Sequence, residues 1–314
     1  MKTVELGTTG AEVSAIALGC MSLTHGNEQE SIATVRRAYE LGVTLYDTAD
    51  VYTAGESEEV LGKALKEVVI AREDVVIASK CGIVFKGMVP EYDYKAYDLS
   101  AAYIKQSVEN SLQRLGTEYI DLFQPHRIDY LAHPEETAMA FDELKSEGKV
   151  RHVGVSNYTA DEIRMLSEYC RLESLQTQFG LLHLEPIETG LLAVCLEKRM
   201  NVLCWSPIHK GVLAGKSSAH DDWQAQREAG VAAQVRELAD CYGWSMSQVA
   251  LVWLMQLPGG VIPLIGTANV DHLSDAVDAV GKALDRDDWY ELMVIGRGRP
   301  MPWGQRPYAY MKER

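Results

Sequence analysis

Short apolar segments recur along this 314-residue chain, each followed by a stretch with helical spacing. The segments are Ser14–Leu18, Val43–Tyr46, Val75–Ser79, Tyr119–Phe123, Val150–Val155, Ser174–Gln178, Val202–Trp205 and Gly260–Pro263. Helical stretches start near Gln29, Ser57, Ala101, Pro134, Ala160, Thr189, Val231 and Val270. Several carry start signals: Asp98-Leu99-Ser100, His133-Pro134-Glu135-Glu136, and Thr159 followed by Asp161 and Glu162. Several end on glycine or a basic residue, as at Gly42, Gly116, Gly148-Lys149 and Lys198-Arg199. Strand–helix units repeated every 30 to 40 residues or so predict an α/β fold of the (β/α)8 TIM-barrel type. An open doubly wound sheet would normally show G-x-G-x-x-G after its first strand. This chain has Gly19-Cys20-Met21-Ser22 there. With no linker-like tract, residues 1–314 read as one barrel domain with extended βα loops. Thr3–Leu6 and Ala11–Val13 read as a hairpin within residues 1–13, placed to plug the N-terminal end of the barrel. Residues 296–314 read as a tail over its mouth.

Charge narrows the partners. Thirty basic against forty-five acidic residues give a net −15, which argues against a nucleic-acid binder and against docking on an anionic membrane. No apolar run approaches the ~20 residues of a membrane span. The start, MKTVELGTTG, has no signal-peptide core. The six cysteines are scattered without a C-x-x-C pair and read as buried thiols in a reducing cytoplasm. His126, His133 and Asp129 match no strong zinc spacing, so no metal is expected.

In a barrel of this type the chemistry lies where the strands end. The residues there are Asp47 to Tyr52 after the second strand, Lys80 after the third and His126 after the fourth. Ser156 and Asn157 follow the fifth, Gln176 lies at the sixth, Trp205 and Ser206 close the seventh, and Gly266-Thr267 follow the eighth. A tyrosine phenol is a poor acid at neutral pH, and a neighbouring lysine ammonium stabilises its phenolate. An aspartate beside the lysine holds it charged, and a histidine can orient or help protonate a carbonyl oxygen. Asp47, Tyr52, Lys80 and His126 therefore suit protonation of a carbonyl while another group delivers hydride. Asn157, Gln176 and Trp205 suit the holding of a nicotinamide ring.

At this point the sequence resembles the aldo-keto reductases from Leu6 to about Leu284. LYDTADVYTAGESEEVLGKAL resembles their D-T-A-x-x-Y-x-x-x-x-x-E-x-x-x-G signature. VVIASKCG, YIDLFQPHRID, KVRHVGVSNY, WSPIHKGVLAGK and IPLIGTANVDHLSDAV resemble further motifs, in the family's order. The resemblance, to the bacterial-type oxidoreductase branch, implies NADP(H) bound without a Rossmann domain. It implies Tyr52 as proton donor, Lys80 and Asp47 tuning it, and His126 orienting the carbonyl. Ser156, Asn157 and Gln176 would meet the carboxamide, and Trp205 would stack on the nicotinamide. Ser206, Pro207, Ile208, Lys210, Gly211, Leu213, Gly215 and Lys216 would cradle the pyrophosphate. Gly19, Cys20, Met21, Ile265, Gly266, Thr267, Asn269 and His272 complete the implied cofactor set, the last four by the adenosine phosphate.

Two departures bear on the cofactor. Relatives often carry a basic residue in place of Ala268 and an asparagine in place of Ala276. A neutral histidine holds a 2′-phosphate less well than an arginine, so NAD(H) or dual use stays open. Gly211 to Ser217 is one residue short of a Walker loop. The acidic runs at Glu28–Glu30, Glu56–Glu59 and Asp285–Asp288 read as solvated helix starts, and Trp244, Trp253 and Met255 as core. A cofactor-binding regulatory subunit is the alternative function; a barrel hydrolase lacks paired carboxylates. The substrate is read as a small carbonyl or alcohol. Loops Met21–Asn27, Ile83–Tyr97, Arg127–Leu131 and Gly296–Arg314 would select it, and their aromatic residues suit a flat or cyclic compound. Monomer and homo-oligomer are both open.

Overall fold

The computed structural model describes residues 1–85, 95–220 and 222–301. Tyr92, Tyr94, Trp303, Arg306, Tyr308 and Tyr310, and most of the expected tail, lie outside these residues. The strands are β1 (Thr3–Glu5), β2 (Glu12–Ser14), β3 (Ala17–Gly19), β4 (Leu45–Asp47), β5 (Val76–Cys81), β6 (Ile83–Val84) and β7 (Ala96–Tyr97). They continue as β8 (Ile120–Pro125), β9 (Val150–Val153), β10 (Val155–Ser156), β11 (Ser174–Gln178), β12 (Asn201–Trp205) and β13 (Val261–Ile265). The helices are α1 (Glu28–Glu40), α2 (Glu56–Val68), α3 (Ala101–Leu115), α4 (Pro134–Ser146), α5 (Ala160–Ser167) and α6 (Glu185–Glu188). After them come α7 (Leu191–Lys198), α8 (Trp223–Tyr242), α9 (Met246–Met255), α10 (Val270–Val277) and α11 (Arg286–Arg297).

The central parallel sheet runs β10-β11-β12-β13-β3-β4-β5-β8-β9. Its two end strands are halves of one segment, interrupted at Gly154, so the sheet closes on itself as the expected barrel. Across the interruption the Gly154 amide donates to the Phe123 carbonyl at 3.1 Å, and the Glu173 amide donates to the Val153 carbonyl at 2.8 Å. The break needs glycine. A Cβ at this position would overlap the Ser174 hydroxyl and stand 2.9 Å from the Ser174 carbonyl oxygen.

Inside the barrel, Ala17, Leu45, Ala78, Leu122, Leu203, Ile262 and Leu264 form a small apolar core. Leu6 and Val13 of the antiparallel β1–β2 hairpin complete it, both fully buried. Burying such side chains stabilises by about 1.5–3 kcal/mol each. The hairpin tip is fixed from outside: the Thr8 amide donates to Glu173 at 2.8 Å and the Gly7 amide to Asn201 at 2.5 Å. A larger core lies between the barrel and its helices, including Trp253, Phe141, Phe179 and Leu61.

The expected helix starts are observed with small shifts, and the capping residues explain them. Ser100, His133 and Thr159 each accept a backbone N–H of the first turn, and Thr159 forms a capping box with Glu162. Three expectations change. The helix placed near Val231 begins at Trp223, because its first two turns are mostly polar and carry no apolar stripe. A second helix, α9, follows it and was read only as core residues; it is apolar nearly all round and lies buried. The acidic runs are not all solvated: Glu58 is fully buried and Asp288 nearly so. Asp288 accepts from the Tyr242 hydroxyl at 2.6 Å.

Gly154→Ala should therefore destabilise the fold by about 1–3 kcal/mol through forced overlap at the closure. Urea denaturation of this variant and of Gly154→Ala/Ser174→Ala measures it. The second substitution should recover part of the loss, since it removes the overlapping hydroxyl. An unchanged midpoint for the single variant would contradict this account.

Candidate active site

β4 delivers Asp47 to the mouth of the barrel, and a tight turn at Tyr52–Gly55 aims Tyr52 back over it. That turn is strained. Thr53, Ala54 and Gly55 have φ of 47°, 56° and 100° in succession, a region costly for side chains with a Cβ. Packing holds it in place. Arg114 of α3 lies over Gly55, where a Cβ would stand 2.7 Å from its Cδ. The same guanidinium donates from Nε to Glu58 at 2.7 Å, and Glu58 accepts from the Ser79 hydroxyl at 2.6 Å. The buried Glu58 thus ties the turn to β5 and α3, which is why it is not solvated. Nearby Asp50 is also buried and accepts from Ser107 at 2.9 Å. Burial, with Glu58 adding to it, pushes its carboxyl up to about 7.

Lys80, on β5, is fully buried. Its ammonium lies 2.8 Å from Asp47 Oδ1, donates to the Thr48 carbonyl at 2.5 Å and reaches the Tyr52 hydroxyl at 3.4 Å. Gln176 on β11 donates to Asp47 Oδ1 at 2.7 Å. Burial alone would pull the Lys80 ammonium down, but Asp47 and Tyr52 more than offset it and hold it above the usual lysine value. Burial raises Asp47 while Lys80 opposes it. The Tyr52 phenol is raised, because burial outweighs the lowering by Lys80. The lysine acts in the expected direction, favouring the phenolate, and desolvation is the larger effect.

His126 meets Tyr52 edge-on, with ring centroids 5.7 Å apart and an interplanar angle of 79°. Its amide donates to the Cys81 carbonyl at 2.7 Å, fixing the chain at the end of β8. Nδ1 is buried without a hydrogen-bond partner. Burial, then the positive charges of Lys80, Arg127 and Lys95, push the imidazole down to about 2. It is therefore neutral at physiological pH.

These groups open into a cavity of about 520 Å³. Asp47, Tyr52, His126, Gly19, Met21, Asn157, Gln176, Trp205, Ser206, Pro207, Ile208, Lys210, Gly211 and Lys216 line it, as do Ile265, Gly266, Thr267 and His272. Six expected residues stand off the wall. Lys80 lies behind Asp47 and Tyr52. Cys20 and Leu213 are buried in the core. Ser156 is buried beneath Asn157, whose Nδ2 donates to it at 2.8 Å. Gly215 caps the turn at His209–Ala214. The Asn269 side chain caps α10, accepting from the amides of Asp271 and His272. A cofactor contact by the Cys20, Leu213 or Ser156 side chain would need these buried groups to leave their packing.

Asn157, with φ 57°, connects the two sides of the site. Its Nδ2 donates to the His126 carbonyl at 3.2 Å, and its Oδ1 accepts from Trp205 Nε1 at 3.1 Å. Beyond Trp205 the backbone is left-handed at Ser206, His209, Lys210, Gly211 and Gly215. The amides of His209, Gly211, Leu213, Gly215 and Lys216 donate to carbonyls within this turn, which keeps it compact beside the cavity. Lys210 and Lys216 add charge. His209 anchors the turn to Glu228 of α8 at 3.1 Å.

Wall residues that sequence reasoning did not select are Ser247, Leu251, Leu264 and Asp275; Arg127, from a loop expected to choose the substrate, and Ala276, a position expected to bear on the cofactor, also line it, as does Ala214. Ser247 and Leu251 belong to α9, which periodicity did not separate from general core. Asp275 was legible in principle: it stands one helical turn after His272 on α10. Its carboxylate accepts from Ser245 at 2.7 Å and Gln248 at 2.9 Å.

Comparison with known proteins gives the family and the fold. The sequence model of the Aldo/keto reductase family matches residues 15–295. A 6-dehydroglucose reductase from Novosphingobium aromaticivorans is 33% identical over 308 residues, covering 95% of this chain and 96% of the relative. A versiconal hemiacetal acetate reductase from Aspergillus parasiticus is 33% identical over 320 residues, covering 89% and 92%. Among solved structures, a glycerol dehydrogenase from Gluconobacter oxydans superposes with a TM-score of 0.84 at 25% identity, covering 97% of this chain and 98% of that one.

The depressed His126 has a measurable consequence. The unfolded chain takes up a proton at histidine near pH 6.5, whereas the folded chain does not until about pH 2. This residue therefore contributes nothing to the pH dependence of stability well above 6.5, and folding stability falls as pH drops below it. Between pH 6.5 and 5 the loss from His126 alone is about 1–2 kcal/mol. Denaturant titrations of the protein and of His126→Gln should differ by that amount in their change over this interval. Nitrogen NMR of the His126 ring should show a neutral imidazole at pH 5; an imidazolium there would contradict the assignment.

Proposed function

The chain belongs to the aldo/keto reductase family, and we propose that it is a carbonyl reductase, equally an alcohol dehydrogenase in reverse, with Tyr52 as the proton donor. The observation that carries this reading is the Lys80 ammonium, paired to Asp47 and 3.4 Å from the hydroxyl of Tyr52, whose ring the His126 ring meets edge-on. When bound, a nicotinamide dinucleotide supplies the hydride. Tyr52 gives its hydroxyl proton to the carbonyl oxygen as negative charge develops there. Neutral His126 offers a ring N–H to the same oxygen and orients it. Lys80 stabilises the phenolate that Tyr52 becomes, and Asp47 keeps Lys80 charged and in place. Gln176 fixes Asp47. The names of the relatives, two reductases and a glycerol dehydrogenase, fit this reaction class.

The donor set fits a dinucleotide. Trp205 offers a flat face for the nicotinamide, with Asn157 and Gln176 amides beside it. Lys210 and Lys216, on the wall beside the left-handed turn after Trp205, suit the pyrophosphate. Thr267 and His272 stand ready for the 2′-phosphate of NADP(H), the cofactor we propose first. A second reading, NAD(H), rests on Asp275: a carboxylate on the same wall repels a phosphate and suits ribose hydroxyls. We take residues 1–314 as one barrel domain, acting in the cytoplasm on a small carbonyl or alcohol.

Tyr52→Phe should lower kcat by about 10²–10⁴-fold, the usual contribution of a positioned acid. A carbonyl panel followed with NADPH and NADH measures it, and full activity in the variant would overturn the mechanism. The cofactor question has its own readout. Asp275→Asn should shift the ratio of dissociation constants toward NADPH by on the order of 1 kcal/mol, a factor of about five. Quenching of tryptophan fluorescence reports both constants. No shift would remove the basis for favouring NAD(H).

A further inference from the structure

Among the described residues, Arg127 is the arginine that lines the catalytic cavity. Arg72, Arg114, Arg151, Arg171 and Arg297 are all ion-paired. Arg127 is exposed, lies on the wall of the catalytic cavity directly after His126, and has no hydrogen bond or ion pair among the described residues. Its natural local partner is Asp129, two residues on. That carboxylate is occupied by the backbone amides of Leu99 at 3.0 Å and Leu131 at 2.9 Å. Arg36, Arg199 and Arg236 also have no ion pair among the described residues, but none of them lines this cavity, so it is the position of Arg127 that calls for an explanation.

Cofactor phosphates do not provide one. The left-handed turn with Lys210 and Lys216 follows β12, and Arg127 follows β8. In the sheet order these strands are separated by β9/β10 and β11 on one side and by four strands on the other. The Arg127 charge is instead next to the reacting groups, close enough to help keep His126 neutral. Lys95 adds a second cation on this side, its ammonium 5.5 Å from the Phe85 ring centroid and 5.9 Å from that of Tyr97. A guanidinium presents a rigid fork of donors matched to planar or tetrahedral oxyanions.

We propose that Arg127 is a specificity residue that binds an oxyanion on the substrate, so that the physiological substrate is a carbonyl compound carrying a carboxylate, phosphate or sulfonate. This rests on the carbonyl-reductase reading above. The anion sits within a few bonds of the carbonyl, because Arg127 neighbours the histidine that orients that oxygen.

Two isosteric pairs test it: 4-formylbenzoate against 4-formylbenzamide, and 4-oxobutanoate against 4-oxobutanamide, each as kcat/KM at low ionic strength. The acid of at least one pair should be preferred by about tenfold. The preference should shrink with added salt. Arg127→Gln should bring the acid-to-amide ratio toward one, whereas Arg127→Lys should retain part of it. A merely structural arginine would not move that ratio. Equal turnover of acid and amide in both pairs, or a preference that survives Arg127→Gln, overturns the inference and leaves the reductase reading standing. If no member of either pair and no compound of a broad carbonyl panel is reduced, the reductase reading fails and this inference falls with it.

Discussion

The Lys80–Asp47 pair is the interaction on which the site depends. Two charges buried at the centre of a barrel mouth are costly to desolvate, and their attraction offsets this only when every remaining donor and acceptor is satisfied. Here they are: Asp47 also accepts from Gln176, and Lys80 also donates to the Thr48 carbonyl. That requirement reaches into the sheet. Asp47 is registered against Ala78 on the neighbouring strand, which leaves Lys80, two residues further along β5, to reach back to it. A slip of either strand would strand a buried charge, so the pair selects one register as well as one chemistry. Removal of one partner alone is therefore far more damaging than loss of a surface ion pair, because it leaves the other charge buried and unmatched.

Closure of the barrel and assembly of the site are linked through a short stretch of chain. Gly154 lets the fifth strand segment break and pass close to Ser174. Three residues later Asn157 turns left-handed and connects the His126 carbonyl to the Trp205 indole. The geometry that closes the sheet thus also sets the span between the proton-handling residues on β4, β5 and β8 and the aromatic wall on β12. On the opposite side, the strained turn bearing Tyr52 is held by Arg114 and buried Glu58. Both halves of the site rest on neighbours that touch no substrate.

Much of this was legible in the sequence, for identifiable reasons. Strand segments flanked by caps report themselves through apolar runs and start signals, so barrel strands and most helix starts could be read. The residues at strand ends could be read because a parallel barrel forces them together. What could not be read depended on long-range pairing. Glu58 looks like a solvated acid until Arg114, 56 positions away, is seen to meet it. α9 has no polar face, so no periodicity separates it from core. The net direction of the Tyr52 shift depends on burial, which no spacing reveals. Asp275 was visible as a residue, but its presence on the cavity wall depended on the packing of α10.

The raised Tyr52 phenol has a consequence for how such an acid would work. In the resting cavity the neutral phenol is favoured, since burial penalises its charged form more than Lys80 relieves it. On the proposed reaction this balance changes as hydride arrives. The carbonyl oxygen becomes anionic beside Tyr52 and draws the phenolic proton, and the charge that appears on Tyr52 falls 3.4 Å from an ammonium already oriented by Asp47. The cation therefore interacts more strongly with the charged product of proton transfer than with the neutral phenol. Stabilisation that grows only as the reaction proceeds accelerates it, whereas stabilisation present from the start does not. A phenol that burial keeps protonated, next to a cation that rewards its loss of a proton, is suited to donate only when a developing alkoxide asks for it. His126, held neutral by burial first and then by the nearby positive charges, keeps a hydrogen bond available at that oxygen without contributing a competing charge.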